Sequence, residues 1–209
     1  MTDEHDHDAH AHDQAHEHEH HHHHAAPMDY PTAVAAYRAE KDAAFKEGAH
    51  SPIPADERPA FEGIPYFPVR EDLVFEGLKL EPYQGDEPSR FQIPTSDNRL
   101  KPARRAGTFS FEVDGTPVRL TGYEVGDQPS DGSIFLPFLD ATSGTETYGA
   151  GRYLDLEPDE DGTYGIDFNL AYHPLCVFSP NFSCPITPAE NRLPVRIEAG
   201  ERLAEGHDH

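Results

Sequence analysis

The sequence predicts a mainly β domain, either an antiparallel sandwich or a small barrel, with one helix at its amino-terminal end. Three observations predict this class. Apolar and polar residues alternate with period two from about Phe61 onward, which is typical of strands with one buried face. No helical pattern separates these strands, so antiparallel pairing is favoured. The chain also has 20 Pro, 16 Gly and no Trp, a composition typical of turn-rich folds.

One helix is predicted from Tyr30 to Glu47. Asp29 or Thr32 is suited to cap its first turn, where a proline is also tolerated, and Gly48 is suited to end it. A proline-rich connector, residues 48–59, then leads into the β region. One stripe of the helix carries Val34, Tyr37, Lys41 and Phe45.

A β-hairpin is the clearest local feature of the β region. Alternating apolar residues precede an Asp-Gly pair at 114–115, and apolar residues resume after it. Asp-Gly is a preferred pair for two-residue hairpin turns, so two adjacent antiparallel strands are expected here. The apolar positions that define them are Phe109, Phe111 and Val113 before the turn and Val118 and Leu120 after it.

Five further strands are predicted by the same criteria. The run SIFLPFL, residues 133–139, is continuously apolar and therefore suits a strand buried on both faces. Because proline lacks an N–H group, Pro137 indicates a bulge or an edge in this strand. The other predicted strands are 74–80 at a sheet edge, 153–156, 164–172 and 193–198.

Residues 1–27 are predicted to form a disordered tail before a single β-rich domain, residues 28–205. The tail has eleven His and seven acidic residues, with neither Lys nor Arg. Such a segment buries too little apolar surface to offset the entropy of ordering. His-rich tracts bind zinc and nickel through neutral imidazole, so weak metal binding is expected, the alternative being a solvated acidic tail with incidental metal affinity. The candidate ligands are His20, His21, His22, His23 and His24.

The negative charge of the chain limits its partners. It has 16 Lys plus Arg against 39 Asp plus Glu, and its formal net charge is −23. Such a charge repels nucleic-acid phosphates and anionic membrane surfaces, so neither is an expected partner. Few of the basic residues are lysines, and the composition resembles that of a protein from a salt-loving archaeon, where salt screens the self-repulsion. The alternative is an ordinary acidic cytoplasmic protein.

The two cysteines are expected to be free thiols. No apolar run reaches the roughly 18 residues of a membrane span, and no secretory signal is evident, so a cytoplasmic location is expected. Thiols stay reduced there, so Cys176 and Cys184 are not predicted to form a disulfide. With His173 they make an incomplete set of zinc ligands, and a nucleophilic role would need a base. We expect both to pack as small buried hydrophobes.

Four blocks of the chain resemble a known family. They are RAEKDAAFKEGAHSPIP, FEGIPYFPVREDLVFEG, FLPFLDATSGTETYGAGRYLDLE and DFNLAYHPLCVFSPNFSCPITPAENRLPVRIEAGER, in this order. Together they resemble domain of unknown function 1684, a family of archaea and bacteria, over residues 37–202. The resemblance implies the limits of the domain and no assigned activity. The chain departs from the family at His173, where asparagine usually precedes the proline.

The first candidate site is a polar set on the predicted strand 164–172. Asp167 and Asn169 alternate with large apolar residues and therefore share one face, which a barrel would turn toward its lumen. In a hairpin formed with strand 153–156, Arg152 lies opposite Asp167 or Asn169, depending on the register. This set is either a strut that fixes the hairpin or a site that holds a ligand.

A second candidate site is the loop DATSGTETY, residues 140–148. The loop is rich in hydroxyls and carboxylates, and its glycine permits a tight turn. Asp140 and Glu146 are candidates for a general acid or base beside a pocket, and Tyr148 is a candidate ligand contact. The alternative is a hydrogen-bonded turn whose side chains satisfy local backbone groups.

The long connection after residue 172 is the third feature of interest. Its prolines stiffen it, and its apolar residues are expected to hold it against the core. Glu190 and Asn191 lie at its end and are candidates for bonding exposed backbone or a ligand, and Tyr172 at its start is a further candidate contact. Because loops longer than about twelve residues are often functional, a lid over a pocket is an alternative to a structural connection.

Taken together, these patterns favour a small-molecule-binding β domain whose polar specificity comes from Arg152, Asp167 and Asn169. One alternative is a hydrolase that uses the carboxylates of Asp140, Glu146 or Asp167. A further alternative is a metal buffer that acts through the His-rich tail. No cofactor is indicated beyond weak zinc or nickel binding by that tail.

Removing salt is expected to lower the melting temperature of the full chain markedly. At low ionic strength the negative charge is poorly screened, and its self-repulsion opposes the compact state. Circular dichroism melts in dilute buffer and in molar potassium chloride test this expectation. Sucrose, which stabilises proteins without screening charge, is the control and should raise the melting temperature less. Identical melting curves in the two salt conditions would contradict the prediction.

Overall fold

The structure is a computed structural model that describes residues 28–126 and 131–204. The predicted tail, with its candidate metal ligands His20 to His24, lies outside the described residues. Within them the chain forms one long helix and eight strands in two antiparallel sheets. The predicted mainly β class with an amino-terminal helix is therefore confirmed. The described strands form open sheets and do not close into a barrel.

Helix α1, Tyr30–Glu47, has the predicted bounds. The carboxylate of Asp29 caps it by accepting the backbone N–H of Thr32 at 3.1 Å. At the other end, Gly48 donates its N–H to the carbonyl of Ala44 at 2.9 Å. Neither α1 nor any shorter helix in the described part of the chain has the length and apolar composition that a bilayer crossing requires.

Six strands form the large sheet. They are β2 (Glu81–Pro82), β3 (Arg90–Pro94), β4 (Leu100–Val113), β5 (Thr116–Val125), β6 (Ile134–Phe138) and β7 (Arg152–Leu156). Their order is β2–β4–β5–β6–β7, and β3 also pairs with β4. The turn between β4 and β5 has positive φ angles at Asp114 and Gly115, 48° and 73°, as the mirror-image hairpin turn requires. The predicted hairpin is confirmed.

A small two-stranded sheet packs against the large one. It consists of β1, Val74–Leu78, and β8, Tyr164–Asp167. The ring of Phe75 on β1 lies 4.7 Å from that of Phe111 on β4, centroid to centroid. The ring of Tyr164 on β8 lies 5.4 Å from that of Phe109, also on β4. The main hydrophobic core therefore lies between the two sheets.

Two predicted strands are wrong, wholly or in part. The strand predicted at 164–172 ends at Asp167, because a 3₁₀ turn, Phe168–Leu170, follows and breaks the alternation. Residues 193–198 form no strand. That segment instead runs beside residues 139–141 and shares isolated backbone hydrogen bonds with them. Side-chain contacts fix the position of this segment, and the alternation of apolar and polar residues cannot predict such contacts.

Asn191 completes the joint between β5 and β6. These strands pair at Tyr123 and Phe135. Beyond that point the Asn191 amide donates to the carbonyls of Thr121 and Pro137, at 2.8 and 2.7 Å, and accepts the N–H of Thr121 at 2.8 Å. Because proline has no N–H to donate, the buried amide supplies the hydrogen bonds that regular pairing would make near Pro137.

Replacing Asn191 by alanine is expected to destabilise the fold by about 3 kcal/mol. The change leaves three buried backbone groups without partners, and each such group costs about 1–3 kcal/mol, partly relieved by relaxation. Denaturant unfolding at high salt measures the loss. The matched control is Asn181→Ala at an exposed position, expected to change stability by less than about 0.5 kcal/mol. Equal effects of the two changes would contradict the role assigned to Asn191.

Candidate functional site

An aromatic groove of about 380 Å³ lies between α1, strands β6 and β7, and the segment 172–185. Its volume falls in the range of small-molecule pockets, about 300–1,000 Å³. Among the described residues that line it, Lys41 is the only one with a charged side chain. Six aromatic residues line it: Tyr37, Phe45, Phe135, Tyr153, Tyr172 and Phe182. The other lining residues are Leu175, Ser183, Cys184 and Pro185.

One wall of the groove belongs to the large sheet. The rings of Phe135 on β6 and Tyr153 on β7 have centroids 4.7 Å apart and are steeply inclined. Tyr172 adds a third ring 5.8 Å from Tyr153, and the two tyrosines also exchange backbone hydrogen bonds of 2.8 and 3.0 Å. Burial raises the pKa of both phenols, so they act as neutral groups. The wall is therefore apolar and held by backbone pairing.

The opposite wall is one face of α1. Tyr37, Lys41 and Phe45 are spaced by four residues and so lie one above another on the helix. Phe45 is held by an edge contact with Phe178, whose ring centroid is 5.1 Å away. The Lys41 ammonium lies 5.5 Å from the centroid of Phe45 and 4.9 Å from that of Tyr172. This lysine therefore joins the helical wall to the sheet wall.

Behind the groove, Lys41 pairs with a buried carboxylate. Its Nζ lies 2.7 Å from Oε1 of Glu201, and the two side chains are 17% and 1% exposed. The other oxygen, Oε2, accepts the backbone N–H of His173 at 2.7 Å. Burial raises the pKa of Glu201, while Lys41 and the His173 N–H act in the opposite direction. The groove thus has a cation at its base whose position a buried acid fixes.

The imidazole of His173 connects this pair to the loop 140–148. Its Nε2 accepts the backbone N–H of Tyr148 at 3.3 Å, and its Nδ1 lies 3.6 Å from Oε2 of Glu201. A nitrogen that accepts an N–H carries no proton, so the proton of the neutral ring lies on Nδ1, facing the carboxylate. The residue at which the chain departs from its family resemblance is therefore part of the polar support of the groove.

Arg152 does not lie where the sequence predicted. β7 pairs with β6, and β8 pairs with β1, so the predicted hairpin between β7 and β8 is wrong. The two strands are linked by an isolated bridge between Pro158 and Tyr164 and then belong to different sheets. The expected contact of Arg152 with Asp167 or Asn169 is therefore wrong as well.

The Arg152 guanidinium instead binds the carboxyl-terminal segment. It is 1% exposed and donates to the carbonyls of Ile197, Ala199 and Glu201, at 2.7, 2.5 and 3.1 Å. One of its nitrogens lies 3.5 Å from the Asp140 carboxylate. These contacts hold the segment 197–201, and with it the Glu201 side chain, in place behind the groove.

Comparison with known proteins identifies the family of this chain. Residues 59–202 match the family described as "Protein of unknown function (DUF1684)". The chain belongs to this family. The chain is also similar to an uncharacterised protein from Haloarcula marismortui whose solution NMR structure is known. The two are 38% identical, the match covers 84% of this chain and 95% of that one, and the TM-score is 0.61. The comparison with curated proteins gave no match.

The DUF1684 match includes the sheet wall of the groove and the buried support behind it. Arg152, Tyr172 and Glu201 all fall inside residues 59–202. Lys41 and the rest of α1 precede the matched range. The matched range therefore contains the sheet wall, and the helix that completes the groove precedes that range.

The loop 140–148 of this DUF1684 protein is a hydrogen-bonded turn. Asp140 accepts the hydroxyl of Thr142 at 2.9 Å and the backbone N–H of Ile197 at 2.7 Å. Both Asp140 and Thr142 are buried. The Glu146 side chain is 41% exposed and forms an ion pair with Arg196. The two carboxylates therefore have separate protein partners, and neither lines the groove.

Asp167 and Asn169 join the helix to the small sheet. Asp167 accepts the hydroxyl of Tyr30 at 2.8 Å. The Asn169 amide donates to the Tyr30 hydroxyl at 2.9 Å and to the carbonyl of Arg70 at 2.8 Å, and its oxygen accepts the N–H of Arg70 at 2.8 Å. Asn169 is buried in the 3₁₀ turn, so the two residues do not present an open polar face.

The remaining candidates are placed separately. The Glu190 carboxylate accepts hydrogen bonds from Nε of Arg105 at 2.8 Å and from the hydroxyl of Tyr123 at 2.9 Å. Asn191 lies in the joint between β5 and β6. Tyr148 contacts His173 through its backbone. Within the described residues no group of three or more His, Cys, Asp or Glu side chains is arranged to hold a metal ion.

Among the predicted ligand contacts in the described part of the chain, Tyr172 alone lines the groove. Sequence reasoning missed the importance of Lys41 and Glu201. A signal for Lys41 was present, because a lysine on the apolar stripe of a helix needs a partner when that stripe is buried. The sequence holds no comparable signal for Glu201, whose partners lie far away along the chain.

Replacing Arg152 by methionine is expected to cost about 3–5 kcal/mol of unfolding free energy, because the change removes one partner of a buried charged cluster. The matched control is Arg196→Met, which breaks ion pairs at a 46%-exposed side chain and should cost at most about 1 kcal/mol. Denaturant unfolding at constant high salt measures both. Similar losses for the two variants would contradict the role given to the Arg152 cluster.

Proposed function

We propose that this protein binds a small molecule with a flat ring in the aromatic groove. The observation that carries the proposal is a concave surface of small-molecule size, lined by six aromatic rings and a single fixed cation among the described residues. Ligand pockets are typically apolar and aromatic, with a few placed polar groups that fix orientation. Both walls are held by backbone or ring contacts, which reduces the ordering cost of binding.

The chemistry of the walls favours a ligand with one ring and one oxygen acceptor. Tyrosine and phenylalanine rings bind other rings by stacked or edge contacts worth about 0.5–1.5 kcal/mol beyond the buried area. Lys41 is a donor at the base of the groove, and Glu201 already balances its charge. Among the described lining residues no second cation could balance a further negative charge, so a neutral or singly charged aromatic compound is favoured.

The contacts of the other candidate residues favour the groove over two other locations, the polar site predicted at Arg152, Asp167 and Asn169 and a hydrolase site. The polar groups of Arg152 and Asn169 are buried and bonded to protein, which argues for a structural role. A hydrolase that used Asp140, Glu146 or Asp167 would need a carboxylate beside the pocket. None of the three lines the groove, so no observation favours that activity.

The test is a titration with benzoate, benzyl alcohol and acetate, followed by NMR of the isotope-labelled full chain at high salt. Benzoate and benzyl alcohol share a ring and an oxygen acceptor, whereas acetate has the acceptor alone. We expect the two ring compounds to shift signals of Tyr153, Tyr172 and Phe182 and to saturate. Acetate should leave these signals unchanged at equal concentration.

A variant and a matched control locate the site. Phe135→Ala removes a ring from the groove and should weaken benzyl alcohol binding by about ten-fold. Phe91→Ala removes an equally half-buried ring on β3, which does not line the groove, and should leave the affinity unchanged. Shifts that spread over the whole surface without saturation, or equal losses in both variants, would show that the groove is not a ring-binding site.

We also infer that the protein works at high salt in a salt-adapted cell. The net charge of −23 supports this inference, and so does the similarity to a protein from Haloarcula marismortui. Under molar salt the Debye length falls to about 3 Å, so ring contacts rather than long-range charge attraction would select the ligand.

A further inference from the structure

The two cysteines lie at the ends of one short loop, residues 176–184, at the rim of the groove. Both are free thiols, and the backbone N–H of Cys176 donates to Sγ of Cys184 at 3.3 Å. The two thiols are also hydrogen-bonded to each other. The sulfur of Cys184 therefore lies beside both the backbone and the side chain of Cys176, and the two sulfurs are neighbours.

The loop is fixed by contacts with the turn between β3 and β4. The Ser96 hydroxyl accepts the N–H of Cys184 at 3.1 Å and donates to the carbonyl of Phe182 at 3.2 Å. The Ser96 N–H also donates to the Cys184 carbonyl at 2.8 Å. Nearby, Lys101 donates to the carbonyl of Ser183 at 3.1 Å. Cys184 is therefore fixed by backbone contacts on both sides, independently of any ligand in the groove.

The surroundings of the pair distinguish its two members. The hydrogen bond between the thiols lowers the pKa of Cys176 and raises that of Cys184. A hydrogen bond from Tyr148 lowers the pKa of Cys176 further, against the effect of its partial burial. Cys176 is half-buried, whereas Cys184 is 8% exposed. Cys176 is thus the more acidic and the more accessible sulfur, and Cys184 lies behind it.

We propose that Cys176 and Cys184 are a redox-active dithiol, which a hydroperoxide converts to an intramolecular disulfide. The Cys176 thiolate attacks one peroxide oxygen, the O–O bond breaks, and the leaving oxygen takes up a proton as water or an alcohol. Cys184 then attacks the sulfur of the sulfenic acid, an S–S bond forms, and a second water leaves. Two thiols and one hydroperoxide give one disulfide, one alcohol or water, and one water.

The proposal concerns a modification site and does not depend on what the groove binds. It differs from the packing role that the sequence predicts for the two cysteines. Redox-sensitive cysteines are typically acidic, accessible and placed next to a resolving cysteine, and this pair has all three features. The disulfide would close the loop that carries Phe182, one of the rings of the groove.

The test treats the reduced full chain with hydrogen peroxide at neutral pH and high salt and follows its intact mass. Because the chain has only two cysteines, a loss of two hydrogen masses in a monomer identifies this disulfide. Dithiothreitol should restore the original mass. A native protein whose mass does not fall, or which forms only disulfide-linked dimers on a non-reducing gel, overturns the proposal.

Two variants test the assigned order of attack. In Cys184→Ser, dimedone should label Cys176 as a sulfenic acid, and no disulfide should form. In Cys176→Ser, the remaining thiol should give little dimedone adduct over the same time. Equal or inverted labelling of the two variants overturns the assignment. Near-ultraviolet circular dichroism checks that both variants keep the native fold. The mass measurement on the wild-type chain tests disulfide formation independently of the two variants.

Discussion

A single buried guanidinium holds the carboxyl-terminal segment, residues 193–203, which strand pairing does not fix. The segment 193–203 has no regular strand partner, yet it covers the core and supplies Glu201. Arg152 bonds three carbonyls of this segment and lies against Asp140. Burying a charge is costly unless good geometry compensates. Here three carbonyls and one carboxylate lie against the two terminal nitrogens, while the buried Nε has no hydrogen-bond partner. Because Glu201 in turn fixes Lys41, the groove depends on a residue that does not line it.

Local rules predicted the parts of the fold that depend on neighbouring residues. The Asp29 cap and the apolar stripe gave the bounds of α1, and the Asp-Gly turn gave the β4–β5 hairpin. The hairpin between β7 and β8 failed because adjacent strands need not share a sheet. Tyr172, a candidate ligand contact from the sequence, lines the groove, but the Lys41–Glu201 pair joins distant parts of the chain. No periodicity encodes such a contact.

Buried amides have a common purpose in this structure. Asn191 joins β5 to β6 where a proline interrupts their pairing, and Asn169 joins the helix to the small sheet. An asparagine side chain offers donors and an acceptor together, so it can complete a backbone edge that would otherwise stay unsatisfied. The sequence identified both residues as candidate ligand contacts, but it did not distinguish a ligand contact from a structural one. Burial makes that distinction, because both amides are already bonded to protein.

The hydrogen bond between Tyr30 and Asp167 has a consequence for how the chain folds. Its two residues are 137 positions apart, so closing this contact restricts a very long stretch of chain. Helix α1 can form within microseconds on its own, but it cannot dock until β8 and the 3₁₀ turn after it exist. We therefore expect docking of the helix to be a late kinetic step, with the groove assembled at the same time. The same helix would be among the first elements to detach, leaving the sheets folded and their aromatic wall open to solvent.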